Sequence, residues 1–469
     1  MNNKRIYNLG LSFIVPGLLL IFPPLQMTMN QGILLSALIL TITWWATGIV
    51  KKSIASIFLL TIFSIWGSTS LERIFHFPLS ANFVLIVFSF IFTEGIINSG
   101  LTEKLIEPVL NKGGKGVHTL LMMIIGLNFV LIFVIPQPFA RIIILGMILK
   151  GFFQRNKLSE DLIQVLMLFT FATAIVVNMM FIRGDIILNN ALIAIAGIEI
   201  TKILWMKIMV VPTLVFVILT YLVFYWVFKN VLEKYSKQLE KQKYPKEKKD
   251  YHENKKIKQD IFSPDSLTKK DKRNLWMIVI VILVWMAEPI HGIESSVVIV
   301  AGTILMAVFQ LIGWKDVKSV NLELLIFITA AFSIGGVMTN SGVAGILFTP
   351  LSDLLPKEFG VGYIFVVMVL SALMHMVLGS NITTLSLVVP SLMLIGEGVV
   401  PMMGLVFIIH VSVCTHYMLP FHNVILLIGN GKGFFESKLV AHFGLGLTIL
   451  LPIVLLGVYY MWWQIIGLV

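Results

Sequence analysis

The sequence contains a single cysteine, Cys414, and few charged residues. One cysteine excludes an internal disulfide framework. Only 13% of the residues are charged, whereas soluble domains use about a quarter to cover their surface. Hydrophobic residues make up 58% of the 469 positions. This composition fits a protein whose surroundings are mostly lipid.

Signals of several other protein classes are also missing. Lys4 and Arg5 precede an apolar run at 11–22, but no small-residue cleavage site follows it. We therefore interpret this run as an uncleaved first span. The sequence shows no metal-ligand spacing and no nucleophile–base constellation, and the GNGKG segment at 429–433 lacks the Lys-Ser/Thr ending of a phosphate loop. We therefore predict no enzyme and no organic cofactor.

Long stretches of the chain are almost free of charge, for example 276–287 and 439–469. Apolar stretches of about 20 residues cross a bilayer as helices, because the backbone must satisfy its own hydrogen bonds in lipid. We predict an all-α polytopic membrane protein with about 11 spans.

The net charge of +11 could indicate a nucleic-acid partner in a soluble protein. Here the lysines and arginines are concentrated in loops, which the positive-inside rule explains better. One topology places every cluster on the cytoplasmic side, with the N-terminus inside and the C-terminus outside. The clusters lie at 4–5, 51–52, 112–157, 229–275, 315–318 and 432–438. We expect a multi-pass protein of the cytoplasmic membrane that binds no nucleic acid.

Residues 229–275 form the one long hydrophilic stretch, rich in Lys with interspersed Glu and Asp. We interpret this stretch as a charged cytoplasmic linker. It divides the chain into a first membrane repeat at 1–228 and a second membrane repeat at 276–469.

The two halves contain the same series of motifs. Each has Asn-Ser-Gly at the end of a predicted span, then an apolar run broken by polar residues and Gly or Pro, then a span with a second break. These motifs occupy 98–100, 133–145 and 181–190 in the first half, and 340–342, 376–390 and 418–431 in the second. We infer that an odd number of spans separates the start of the series in the first half from its start in the second. The second series then crosses the membrane in the opposite direction, which predicts inverted repeats, each with a re-entrant hairpin and a broken transmembrane helix.

Such breaks point to a binding site. Non-helical backbone at membrane depth is tolerated only where it lines a protected cavity. Helix N-termini then present free N–H groups to anions, and unwound carbonyls suit small cations. Paired breaks in two inverted repeats are the best sequence pointer to a transporter site.

The second-half motifs resemble those of the divalent anion–sodium symporter family. Ser380-Asn381-Ile382-Thr383-Thr384, followed by Pro390, is similar to the hairpin signature of that family, and the Leu-Pro at 419–420 followed by Asn423 is similar to its next signature. The resemblance covers nearly the whole chain in topology and is sharpest at 321–436. It implies transport of di- or tricarboxylates or sulfate with sodium. It also implies an elevator mechanism in which a dimeric scaffold supports a moving transport domain.

The first half departs from that family pattern. Gln137-Pro138-Phe139 stands where the family has Ser-Asn-Thr, Arg141 replaces the later Thr, and Arg183-Gly184-Asp185 replaces the second turn. In the second half, Ile382 replaces a Thr, and the two consecutive prolines that the family has directly before the Asn are missing before Asn423. The resemblance implies one sodium ion in each half, and the first-half site is the one most altered here. We hypothesise that fixed guanidinium charges replace the missing sodium.

Charged groups in the membrane usually have a partner or a task. Arg141 and Arg183 lie in the first-half breaks, and a guanidinium binds carboxylate or sulfate in a bidentate manner. The alternative is internal pairing of either arginine with Asp185 or Glu94. The predicted substrate-binding residues are Ser380, Asn381, Thr383, Thr384, Asn423, Gln137, Arg141 and Arg183. The predicted sodium-binding residues are Gly379, Ser380, Asn381 and Pro420.

Histidine can relay protons near neutral pH, so His422 and His416 are candidates for proton coupling. We predict a homodimeric secondary transporter that moves small divalent anions across the membrane and is coupled to a cation. The alternatives are a sodium-independent anion exchanger or uniporter, a non-transporting membrane protein, and a membrane enzyme.

Overall fold

The structure is a computed structural model that describes residues 3–101, 104, 106, 110, 116–234, 236 and 268–469. Within these residues every regular element is helical and no strand occurs. The prediction of an all-α polytopic membrane protein is confirmed.

The helices of the first half end before the predicted linker. They are α1 (Asn3–Ser12), α2 (Ile14–Ile21), α3 (Met29–Thr47), α4 (Lys52–Trp66), α5 (Leu71–Ile74), α6 (Ala81–Ser99), α7 (Val117–Val134), α8 (Pro138–Arg155), α9 (Glu160–Asn178), α10 (Leu188–Ala196) and α11 (Lys202–Val227).

The helices of the second half begin after the linker. They are α12 (Lys269–Met286), α13 (Glu288–His291), α14 (Ser295–Val308), α15 (Leu322–Asn340), α16 (Val343–Ser352), α17 (Val361–Leu378), α18 (Asn381–Gly396), α19 (Met402–Thr415), α20 (Val424–Gly431), α21 (Ser437–Val454) and α22 (Met461–Ile465), with a π-helical stretch at Leu455–Tyr460.

Seven helices in the described part of the chain are long and apolar enough to cross a membrane. They are Ala81–Ser99, Val117–Val134, Glu160–Asn178, Lys202–Val227, Leu322–Asn340, Val361–Leu378 and Ser437–Ile465. Shorter apolar helices accompany them, including α18 and α19. The two Asn-Ser-Gly motifs lie at helix ends as predicted, since α6 ends at Ser99 and α15 ends at Asn340.

Two helical hairpins and two broken helices make up the centre of the fold. Hairpin 1 is α7 and α8 joined at 135–137, and hairpin 2 is α17 and α18 joined at 379–380. The first break, 179–187, separates α9 from α10, and the second break, 416–423, separates α19 from α20.

The packing between the two halves is reciprocal. In the first half, α10 packs on α18 of hairpin 2 and on α19. In the second half, α20 packs on α8 of hairpin 1 and on α9, and the broken helices α9 and α19 touch each other. Each helix that follows a break therefore packs against the hairpin of the opposite half, which brings both breaks to the centre.

The remaining helices surround this centre. One apolar core includes α3, α4 and α15, whose buried side chains pack together. On another side, α6 packs on α14, and α14 packs on α12. These contacts place the start of the second half beside the first break.

The predicted linker at 229–275 lies largely outside the described residues. At its N-terminal side, helical structure continues from α11 to residue 234. At its C-terminal side, α12 begins at Lys269, capped by Thr268, whose hydroxyl accepts the N–H of Asp271 at 3.1 Å. The last residues of the predicted linker are therefore the first turns of α12.

Candidate functional site

The tip of hairpin 1 is shaped by two prolines. Pro136 restricts Ile135 to an extended conformation, which ends α7. Pro138 occupies the first turn of α8, where the missing N–H costs nothing. Between them Gln137 caps α8, because its Oε1 accepts the N–H of Ala140. Its Nε2 is buried and has no hydrogen-bond partner.

Arg141 joins this tip to the first break. Its Nη1 donates to the carbonyl of Ile135 at 2.9 Å, and its Nη2 donates to Asn178 Oδ1 at 2.8 Å and to the carbonyl of Gly184. The side chain is 2% exposed. Arg141 therefore connects the end of α7, the end of α9 and the first break.

The first break is held by its own side chains. A Cβ at Gly184 would lie 2.1 Å from the carbonyl oxygen of Asn178, so only glycine fits there. Asp185 caps α10 by accepting the N–H of Ile187 at 3.1 Å and of Leu188 at 3.0 Å.

Asn189 completes the hydrogen bonding of the first break. Its Nδ2 donates to the carbonyls of Asn178 at 3.1 Å and Phe181 at 2.9 Å. Carbonyls left free where a helix ends need such partners when they are buried. The break is therefore a fixed structure rather than a simple kink.

The tip of hairpin 2 has a different construction. Gly379 ends α17 with φ of 62°, which is the left-handed conformation that favours glycine. The hydroxyl of Thr384 donates to the carbonyl of Ser380 at 2.8 Å. In contrast, both amide atoms of Asn381 and the hydroxyl of Thr383 are buried without a hydrogen-bond partner.

The second break uses a histidine and an asparagine to satisfy its backbone. His422 Nδ1 accepts the N–H groups of Met418 at 3.0 Å and Leu419 at 3.4 Å, and His375 Nε2 bonds the carbonyl of His422 at 2.8 Å. Asn423 caps α20 by accepting the N–H of Ile425 at 2.9 Å. His422 thus has a structural task in this conformation.

The two breaks share one small cavity. Asn178 at the end of α9, Asp185 of the first break, Cys414 near the end of α19 and Asn423 of the second break line it, and its volume is about 10 Å³. That is about the room of one water molecule. Polar groups that are more than 200 positions apart in the chain therefore meet at one point.

A larger cavity of about 570 Å³ lies beside the first break and is lined in part by Arg183, Lys202, Trp285 and Glu288. The guanidinium carbon of Arg183 stacks on the ring of Trp285 at 4.1 Å. Lys202 is paired with Glu288 and donates to Ser295 at 2.8 Å. In contrast, Nε and Nη2 of Arg183 are buried and have no hydrogen-bond partner.

A comparison with protein families identifies the family of this chain. The model of the sodium:sulfate symporter transmembrane region matches residues 3–469. The chain belongs to the sodium:sulfate symporter family. This confirms the resemblance to the divalent anion–sodium symporters. No curated protein matches the chain.

The predicted site residues fall into two groups. Hydrogen bonds within the protein occupy donors or acceptors of Arg141, Thr384, His422 and Asn423. The other group retains buried polar atoms without partners, namely Gln137, Arg183, Asn381, Thr383 and His416. Ser380 and Gly379 lie at the tip of hairpin 2, and Pro420 begins the short 3-10 turn of the second break.

The ion pairs considered for the two arginines are absent among the described residues, and Arg141 bonds neutral oxygen atoms instead. Among the described residues, neither Arg141 nor Arg183 forms an ion pair with Asp185 or Glu94. Arg141 instead bonds two backbone carbonyls and an asparagine. The roles of Asn178, Asn189 and Trp285 were not predicted, and only the polarity of the two asparagines near the first break could have indicated them.

Proposed function

We propose that the chain is a secondary transporter that couples sodium to the movement of a small divalent anion, of the dicarboxylate, tricarboxylate or sulfate type, across the cytoplasmic membrane. Membership of the sodium:sulfate symporter family and the apolar helices support this proposal. The anion and sodium bind at the two hairpin tips and the two breaks.

The observation that carries the proposal is the placement of unpaired polar groups. Hydroxyls can turn to many acceptors, but amide, imidazole and guanidinium groups cannot, and leaving them buried without a partner costs about 1–3 kcal/mol or more. Within the described residues, all the unpaired groups of these three kinds lie at or beside the tips and breaks. They belong to Gln137, Arg183, His375, Asn381 and His416.

Arg183 is the strongest candidate for binding the anion. Its free Nε and Nη2 lie on one edge of the guanidinium, and two parallel N–H groups match two oxygens of a carboxylate or sulfate. Trp285 holds the plane of this group by stacking on it. Both nitrogens are enclosed in this conformation, so the anion reaches them after a neighbouring side chain moves. Arg141 has its Nη groups bonded to oxygens of the protein and does not compete for this role.

The second half provides the oxygen atoms for sodium. Sodium is a hard cation and prefers amide, hydroxyl and carbonyl oxygens. Asn381 Oδ1 and Thr383 Oγ1 are buried and unpaired, and the backbone at Gly379, Ser380 and Pro420 lies in the same tip and break. These residues fit a sodium site.

The reciprocal packing of hairpins and broken helices supports an elevator-type movement. The two halves act as inverted repeats, 1–228 and 276–469, joined by the linker at 229–275. The hairpins and broken helices move together as an elevator relative to a dimeric scaffold formed by the remaining helices. The N-terminus and the linker are cytoplasmic, and the C-terminus is outside. Proton coupling through His416 or His422 is less favoured than sodium coupling, because His422 already accepts two backbone N–H groups.

A sodium-independent anion exchanger is the second candidate. Arg141 favours it, because a fixed positive charge sits where the first break meets hairpin 1. The unpaired oxygens at hairpin 2 favour sodium coupling instead.

Uptake into proteoliposomes tests the proposed function. We expect sulfate, succinate or citrate to accumulate with an inward sodium gradient and not with choline. Arg183→Ala is expected to abolish uptake, while Lys207→Ala, which removes an exposed cation from α11, retains it. Sodium-driven uptake by Arg183→Ala equal to that of the unsubstituted protein would refute the assignment of the anion site. Equal uptake in sodium and choline would support the exchanger.

A further inference from the structure

Three oxygen atoms from three separate segments converge on one guanidinium. The carbonyl of Ile135 belongs to the tip of hairpin 1, Oδ1 of Asn178 to the end of α9, and the carbonyl of Gly184 to the first break. Carbonyl and amide oxygens of this kind are the ligands that hard metal cations take in proteins. Here Arg141 provides the positive charge that these oxygens surround.

The second half has the same backbone plan with a different residue. Gln137 caps α8 and Ser380 precedes α18, so Arg141 and Thr384 both stand four residues after the start of the turn. Thr384 bonds the carbonyl of Ser380 and carries no charge. Nearby Asn381 keeps both amide atoms unpaired. One half therefore contains its own cation, and the other has oxygen atoms without one.

We propose that Arg141 is a tethered cation that takes the place of a coupling ion in the first half, so that sodium binds only at the tip of hairpin 2. This inference rests on the proposed function. A sodium ion could enter the first half only by displacing the guanidinium from its three oxygens, and the two positive charges would repel each other. Arg141 also fastens hairpin 1 to the first break, so binding of sodium orders hairpin 2 alone.

Chemical rescue tests the tethered cation without any transport measurement. Arg141→Ala removes the guanidinium and leaves the three oxygens around an open space. In choline chloride we expect the purified full-length variant to unfold at a lower temperature than the unsubstituted protein. Millimolar guanidinium should raise that temperature in the variant by binding the folded state. Guanidinium should leave the unsubstituted protein unchanged, and Lys207→Ala should behave in the same way.

A second variant keeps the inference testable if Arg141→Ala does not fold. Asn381→Ala leaves the first half intact and removes ligand atoms at hairpin 2. We expect this variant to lose the whole sodium-dependent rise in unfolding temperature. In the unsubstituted protein, sodium should activate uptake with a Hill coefficient of about 1, because the coefficient cannot exceed the number of sites.

The outcomes separate this inference from the proposed function. A Hill coefficient near 2, a sodium response that survives in Asn381→Ala, or a folded Arg141→Ala that guanidinium does not stabilise would each overturn the tethered cation. Failure of the unsubstituted protein to take up any of the three anions would instead count against the proposed function. Rescue of Arg141→Ala by guanidinium would support the tethered cation even in that case.

Discussion

Gly184→Ala is the substitution for which the structure gives the clearest magnitude. The added Cβ would lie 2.1 Å from the carbonyl oxygen of Asn178 and 2.7 Å from its carbonyl carbon. Ordinary carbon–oxygen contacts are about 3.3–3.6 Å, so the backbone must move by more than about 1 Å. The neighbours are backbone atoms, which cannot turn aside as a flexible side chain would.

The movement has two costs. Forcing extra volume into a packed site costs about 1–3 kcal/mol. The displaced carbonyl of Gly184 also loses its hydrogen bond from Arg141, and bonds to charged groups contribute about 1.5–3 kcal/mol. The total is about 2.5–6 kcal/mol. At about 2.1 cal/mol/K per residue for the unfolding entropy, this lowers the unfolding temperature by about 3–6 °C.

The assay is thermal unfolding of the purified full-length protein in detergent. Gly336→Ala is the matched control, because Gly336 lies in the exposed part of α15 and its added Cβ would meet no atom within 4 Å. We expect the control to be as stable as the unsubstituted protein or slightly more stable, since alanine favours helix by about 0.5–1 kcal/mol. If Gly184→Ala unfolded at the same temperature as Gly336→Ala, the close packing of the first break would be wrong.

Three further predictions concern the anion, the acid stability and the tip of hairpin 2. Arg183→Lys keeps the charge but loses the planar fork, so the KM for the anion should rise about tenfold or more in uptake assays, with the sodium dependence unchanged. The hydrogen bond from Lys104 lowers the pKa of Asp271, which lies at the basic start of α12, to about 2. This carboxylate therefore stabilises the fold above its unfolded pKa of about 3.9, and the benefit is lost as the pH falls from about 4 to 2. The difference in unfolding temperature between the unsubstituted protein and Asp271→Asn should shrink over that window, and a constant difference would contradict the pairing. Gly379→Ala should destabilise by about 1–2 kcal/mol because of its positive φ, and its Cβ would also lie 3.0 Å from the ring of Phe421. Phe421→Ala should relieve only the steric part, and strictly additive effects of the two substitutions in thermal unfolding would argue against that contact.

The positions of the helix ends and breaks could be predicted because their causes are local. Pro136 and Pro138 end and restart a helix by fixing backbone angles, and glycine at 379 permits a left-handed turn. The Asn-Ser-Gly motifs mark helix ends for similar reasons.

The partners of the charged residues could not be predicted in the same way. Arg141 bonds the carbonyls of Ile135 and Gly184, and every residue has a carbonyl, so the sequence carries no sign of which two are used. Trp285 reaches Arg183 from the other half of the chain through the packing of α12. Acidic residues near the arginines were natural partners to consider, yet Asp185 instead caps α10. The role of each charged residue therefore depends on contacts that form only in the three-dimensional fold.

The covalent attachment of Arg141 has an electrical consequence. A guanidinium fixed to the chain crosses no net distance over a complete cycle, so the charge moved is set by the dissolved ions alone. One sodium ion with one divalent anion leaves a net charge of −1. Against an interior potential of −100 mV, each such import would be opposed by about 2.3 kcal/mol, equivalent to about a 40-fold concentration ratio. A carrier of this kind would import a singly charged form of its anion more readily, or exchange one dianion for another.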